Sequence, residues 1–113
     1  VDYRIRRQGE AISIHNSPAL VHTVTLVASQ LGFNVIHNRP FGASDDAGFL
    51  LERVQKNGGQ AAYLVLGATL SAGHHASLFD FDEEALPRGL ELLDALFCHH
   101  LTPEPPEPEE SVI

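Results

Sequence analysis

Residues 1–7 alternate apolar and polar side chains, with Val1, Tyr3 and Ile5 on one side and Asp2, Arg4 and Arg6 on the other. A period of two is that of a half-buried strand, here expected in an antiparallel sheet. Gln8-Gly9-Glu10 reads as a turn or bulge before a second extended stretch over 11–15. The period changes at Asn16-Ser17-Pro18, where Ser17 suits an N-cap and Pro18 the first helical position. Leu20, Val24, Val27, Ala28 and Leu31 then recur at helical spacing, and Gly32 follows as a left-handed C-terminal cap. Residues 33–36 predict a short strand, and a loop with Asn38, Arg39 and Pro40 leads to Gly42-Ala43-Ser44. Ser44 is expected to cap a second helix, with Asp45 and Asp46 in a first turn whose dipole favours negative charge. Leu50, Leu51 and Val54 form its apolar stripe, and Gly58-Gly59 end it. Residues 61–66 are apolar without alternation, the pattern of a strand covered on both faces in a parallel sheet. Asp82 is expected to cap a last helix carrying Leu86, Leu90, Leu93, Leu96 and Phe97. Pro87 falls one turn inside it and predicts an irregular first turn.

From Ser17 the order is helix, strand, helix, strand, helix, which implies a right-handed parallel crossover and the α/β class. Two parallel strands are too few to cover both faces and both edges of 61–66, so the chain reads as a piece of a larger sheet. The first fifteen residues read as part of a different, antiparallel one. The expected organisation is therefore 1–15 as strands of a separate domain, 16–101 as part of an α/β domain, and 102–113 as a tail. That tail, TPEPPEPEESVI, holds four of the seven prolines and four of the fifteen acids, a composition expected to stay solvated and disordered.

Composition narrows the function classes. Seven Lys and Arg stand against fifteen Asp and Glu, a net charge of −8 over 113 residues, half of it in the tail. That balance argues against a sequence-independent nucleic-acid or anionic-membrane binder, which needs clustered cations. No apolar run approaches the roughly 20 residues of a membrane span, no signal-peptide pattern opens the chain, and a cytoplasmic location is expected. A single cysteine, Cys98, excludes Cys-rich zinc modules. The chain contains no methionine, so it is expected to be processed or part of something longer.

No GxGxxG, GxxxxGK[ST] or GxSxG motif occurs, so dinucleotide, P-loop and serine-hydrolase readings have no support. Two loops remain. Gly67 to His75 follows the C-terminal end of the expected buried strand, the side on which open α/β sheets bind ligands. The adjacent His74 and His75 there can serve a metal or a proton transfer, or simply belong to a loop. Gly42-Ala43-Ser44-Asp45-Asp46 also joins a strand to a helix, and it reads as a helix cap or as a wall of the same site. His99-His100 ends the last helix, where capping of the dipole is the expected role. Arg4, Arg6 and Arg7 read as a solvated strand face, with a small anion site as the other reading.

The stretch GASDDAGFLLERVQ, followed by GGQAAYLVLGATLSAGHHASLFDFDEEALPRGLELL, resembles the C-terminal part of the zinc amidohydrolases of peptidase family M twenty. The nearest branch is the aminobenzoyl-glutamate hydrolase and amino-acid amidohydrolase group. The resemblance rests on Ser44-Asp45-Asp46, Leu66-Gly67, His75 and the segment Phe79 to Leu86, in order, and covers residues 32 to 98. It implies a phosphorylase/hydrolase-like zinc-peptidase catalytic domain, preceded by the last strand of an α+β lid or dimerisation domain. It also implies a two-zinc site, sometimes manganese or cobalt, that hydrolyses the amide of an N-acyl or aminobenzoyl amino acid or a short peptide.

By the same resemblance His75, four residues before Phe79, is one metal ligand. His74 is its alternate or a neighbour behind it, and Ser44, Asp45 and Asp46 line the substrate loop. Asp45 stands where the family usually has Glu, one methylene longer. The family's remaining ligands and catalytic glutamate have no counterpart here, so no catalytic residue is assigned in this chain. One histidine cannot hold catalytic zinc, which takes about three protein ligands and water. The isolated chain is therefore expected to be inactive, and its partners are the rest of the catalytic domain and a second copy. The rival expectation is a non-catalytic truncated relative acting as an association module through uncovered sheet edges or the acidic tail.

Overall fold

A computed structural model of the chain describes residues 1–37, 40, 42 and 44–102. The expectations for Asn38, Arg39, Ala43 and the tail from 103 onward lie outside the described residues. The helices are α1 (Pro18–Gln30), α2 (Ala47–Lys56) and α3 (Ala85–Leu101). Among the described residues the one β contact is an isolated antiparallel bridge between Leu70 and Phe81. The chain divides into two units, Val1–Val65 and Leu66–Ile113. Among the described residues no helix is long and apolar enough to cross a membrane.

In the first unit, α1 begins after Ser17 with Pro18 in its first turn, where a missing N–H costs nothing. It buries Val24, Val27 and Ala28, three of the five positions expected from spacing. The fourth and fifth, Leu20 and Leu31, are half-buried. Its end is a Schellman motif: Gly32, at φ 79°, donates to the Ser29 carbonyl at 3.0 Å, and Phe33 to the Ala28 carbonyl at 3.0 Å. The same pair closes α2, from Gly58 at φ 82° to Gln55 and from Gly59 to Val54, both at 3.0 Å. A left-handed φ is what makes both helix ends glycine positions.

Two expectations about this unit are corrected. Ser17 occupies the N-cap position but its hydroxyl caps nothing in α1. It accepts instead from the Ala61 N–H at 3.0 Å and from Gln55 Nε2 at 3.1 Å. The second correction concerns α2, which starts at Ala47 with Asp46 as N-cap, so that Ser44 lies outside it and no acid occupies its first turn. Asp45 Oδ1 accepts the Ala47 N–H at 2.8 Å, an i to i+2 bond that holds Asp45 in a turn rather than a helix.

Residues 16–17 and 61–63 lie side by side without forming a ladder. Ser17 N–H donates to the Ala61 carbonyl at 2.8 Å. The Asn16 amide then imitates a backbone unit, accepting the Tyr63 N–H at 2.7 Å and donating to the Tyr63 carbonyl at 3.2 Å. A strand exists only as half of a ladder, and none of the stretches 1–7, 11–15, 33–36 and 61–66 has such a partner among the described residues. The apolar face expected at Val1, Tyr3 and Ile5 is accordingly exposed. Arg7 pairs with Glu10 at 3.5 Å.

In the second unit α3 starts at Ala85 with Glu84 as N-cap, two residues after the expected cap Asp82. Asp82 Oδ1 accepts from the Glu84 N–H at 3.1 Å, so its carboxylate caps the turn before the helix. Two i to i+3 bonds lead in, Ala85 to Asp82 at 3.2 Å and Leu86 to Glu83 at 2.9 Å. Pro87 thus sits third in the helix, where no N–H is required. The i to i+3 turn lies ahead of α3, and the helix itself runs as regular α from Ala85 through Pro87. Of the expected apolar stripe on α3, Leu96 alone is buried, while Leu86, Leu90, Leu93 and Phe97 are exposed. On α2, Leu50 and Val54 are likewise exposed.

Candidate functional site

The residues singled out from sequence fall into two groups, one in each unit. In Leu66–Ile113 the histidines belong to a loop closed at its base. Leu70 bridges Phe81, and Ser71 and Asp80 pair through the Ser71 N–H at 3.0 Å, while Asp82 N–H reaches the Thr69 carbonyl at 2.9 Å. The Ser71 hydroxyl donates to the Leu78 carbonyl at 2.7 Å, drawing the loop's second half back to its first. Two successive turns fill the tip, closed by Ala76 N–H to Gly73 O at 3.1 Å and Phe79 N–H to Ala76 O at 3.0 Å.

His74 and His75 are the two central residues of the first turn, and they differ. The His74 ring stacks on Phe79 with centroids 5.3 Å apart. Both residues are exposed, but His75 holds a left-handed backbone, φ 66°, and no other non-glycine residue described does so. A positive φ at the third turn position normally selects glycine or asparagine. Histidine there is tolerated at some cost, and such strain concentrates at functional positions.

The second group lies in Val1–Val65. Ser44 and Asp46 are exposed, and Asp45 is half-buried with both carboxylate oxygens engaged. Oδ1 takes the Ala47 N–H, and Oδ2 accepts the Tyr63 hydroxyl at 3.2 Å. The phenol of Tyr63 is raised above its ordinary value, first by desolvation on burial and then by its hydrogen bond and charge interaction with Asp45. The folded chain therefore keeps this proton to higher pH than the unfolded chain. Tyr63's contribution to stability is complete below pH 10.0 and declines above it. In denaturation midpoints measured on either side of pH 10.0, the alkaline fall is expected to be shallower in Tyr63→Phe than in the unaltered chain. Equal slopes would discard this assignment.

Tyr63 was hidden in the sequence within an apolar run. The available signal was a single tyrosine among aliphatic residues, since a partly buried phenol requires a hydrogen-bond partner. Gln55 was also missed. Its Nε2 donates to the His15 carbonyl at 2.8 Å and to Ser17 Oγ at 3.1 Å, and lies 3.5 Å from the Ala61 carbonyl. A shallow cleft beside it is lined by Ile12, His15, Leu51 and Glu52 and contains none of the expected site residues. His99 and His100 lie in the last turn of α3 with rings edge to face, 5.7 Å apart.

The donor chemistry of His75 fits one metal bond. Among the described residues no group of three or more His, Cys, Asp or Glu is arranged to hold an ion. These residues therefore do not complete a metal centre by themselves, and no catalytic step follows from them alone.

No family model matches the chain, and no solved structure matches it. Three curated proteins do. A homolog of a p-aminobenzoyl-glutamate hydrolase subunit, from Haemophilus influenzae, is 39% identical over 99 residues, 85% of this chain and 23% of that protein. A p-aminobenzoyl-glutamate hydrolase subunit of Escherichia coli is 40% identical over 97 residues, 82% of this chain and 22% of that protein. The indole-3-acetyl-aspartic acid hydrolase of Enterobacter agglomerans is 40% identical over 93 residues, 79% of this chain and 21% of that protein. The chain spans less than a quarter of each, and over most of its own length it is a relative of these hydrolases.

Proposed function

We propose that the chain is the C-terminal segment of a metal-dependent amidohydrolase of the peptidase family M twenty kind. Its substrate class is an aromatic acyl group joined by an amide to an acidic amino acid. The observation that carries this reading is the similarity to proteins named for p-aminobenzoyl-glutamate and for indole-3-acetyl-aspartic acid. Both compounds are aromatic acyl amides of an acidic amino acid. On this reading the stretches 33–36 and 61–66 become strands of an α/β sheet whose other strands lie outside these 113 residues. The remaining metal ligands and the general base lie there too.

His75 contributes one neutral imidazole, presented by a turn whose base is tied at Leu70, Ser71, Asp80 and Phe81. Zinc, when bound, would supply Lewis-acid polarisation of the scissile carbonyl. Ser44 and Asp46, exposed ahead of α2, offer a hydroxyl and a carboxylate to the substrate. The test is hydrolysis of p-aminobenzoyl-glutamate and indole-3-acetyl-aspartate by the complete polypeptide that contains this chain. Turnover of at least one of them, lost on chelation and restored by zinc, is expected. A complete polypeptide that cleaves neither with zinc supplied would sink the reading.

A further inference from the structure

We propose that Tyr63 is a positioning residue that fixes the Ser44-Asp45-Asp46 loop through Asp45. The part of the proposal that concerns substrate rests on the amidohydrolase reading. The Asp45 carboxylate is used twice by the chain itself, Oδ1 by the Ala47 N–H at 2.8 Å and Oδ2 by the Tyr63 hydroxyl at 3.2 Å. Tyr63 is in turn fixed at its backbone by both polar atoms of the Asn16 amide, at 2.7 and 3.2 Å. A relay thus runs from Asn16 through Tyr63 to Asp45 and the start of α2. It ties the loop to the segment preceding α1.

The division of labour within the loop follows from this relay. Asp45 is half-buried and its carboxylate is committed to protein donors, whereas Ser44 and Asp46 are exposed. Ser44 and Asp46 are therefore the groups the loop presents, and Asp45 sets where they stand. Side-chain length matters to the arrangement. An i to i+2 bond from a side-chain oxygen to the backbone is the Asx turn, which Asp closes. A glutamate would carry its carboxylate one methylene farther out, beyond the span of this two-residue turn.

Two measurements on Tyr63→Phe, which keeps the ring and removes only the hydroxyl, test the proposal. In the 113-residue chain, amide hydrogen exchange at Ala47 is expected to quicken roughly tenfold, the scale of one charge-assisted hydrogen bond. Exchange within α2 at Leu51 and Val54 is expected to stay as it was. Unchanged exchange at Ala47 would overturn the anchor. In the complete polypeptide KM should rise about fivefold with kcat within about twofold, as expected when one hydrogen bond orients a binding loop. Adding Tyr63→Phe to Asp45→Asn should have no further effect on KM. Faster exchange with an unaltered KM would reduce Tyr63 to a helix-end contact and refute its positioning role. If the unaltered polypeptide hydrolyses neither substrate, the amidohydrolase reading and the substrate part of the proposal fall together. The exchange result then still decides the anchor.

Discussion

Replacing His75 by asparagine in the complete polypeptide is expected to lower turnover at least about 100-fold, with bound metal reduced by about one equivalent. Loss of a hydrogen bond behind a metal ligand already costs roughly 10- to 100-fold, so, on the proposed reading of His75 as a ligand, its loss should meet or exceed that range. Asparagine is the informative choice because of the backbone. At φ 66° most side chains would strain the turn, whereas asparagine enters the left-handed region readily. His75→Asn therefore removes the imidazole while keeping the Gly73 to Ala76 turn. His75→Gly makes the separation sharper. It should relieve roughly 1 kcal/mol of backbone strain and leave the chain at least as resistant to heat, yet be as inactive as the asparagine variant. Metal content and turnover close to those of the unaltered protein in both variants would remove His75 from the site.

Gln55→Ala is expected to destabilise the Val1–Val65 unit by about 1–3 kcal/mol, the cost of leaving partly buried acceptors without their donor. A single amide group serves the His15 carbonyl and the Ser17 hydroxyl, and it approaches the Ala61 carbonyl. These three groups come from two stretches that share no ladder, and Gln55 on α2 ties them together. Urea denaturation should show the loss, and amide exchange should quicken at Ser17 and Ala61, which lean on the same junction. Stability within a few tenths of a kcal/mol of the parent would mean that water replaces the side chain, and the junction would then be held by Asn16 and Ser17 alone.

Local signals in the sequence located the helices well. Ser17-Pro18, Gly32 and Gly58 mark ends that the structure places within a residue or so, because proline's fixed φ and glycine's freedom act on their own turn. Less legible were the starts of α2 and α3. Ser44 and Asp82 carry the residue types of an N-cap, yet the helices begin at Ala47 and Ala85. At Asp45 a tyrosine eighteen positions away takes part in that choice. At Asp82 the carboxylate takes the Glu84 N–H and so closes a turn ahead of the helix. The apolar stripes show the same limit. Spacing identified Val24, Val27, Ala28 and Leu96 as buried, but it also named Leu50, Leu86, Leu90, Leu93 and Phe97, which stand exposed. Periodicity reports which side of a helix is apolar, and burial additionally requires something to cover it.

For the candidate site, the sequence supplied the residue types and their order: a Ser-Asp-Asp loop, a run ending in Leu66-Gly67, and the histidine pair before Phe79. The identity to the curated hydrolases spans most of this chain, though it does not assign a role to any of these residues. What each residue does there was decided in three dimensions. The two histidines are neighbours in sequence and both are exposed, but one stacks on Phe79 while the other takes a left-handed backbone. Asp45 and Asp46 are equally acidic, but one is spent on Ala47 and Tyr63 while the other faces solvent. By itself the sequence determined that three helices form, the glycine-closed ends of α1 and α2, and the chemistry available. Tertiary structure alone decided that Asp45 rather than Asp46 is engaged, because its partner Tyr63 lies eighteen positions away in the chain.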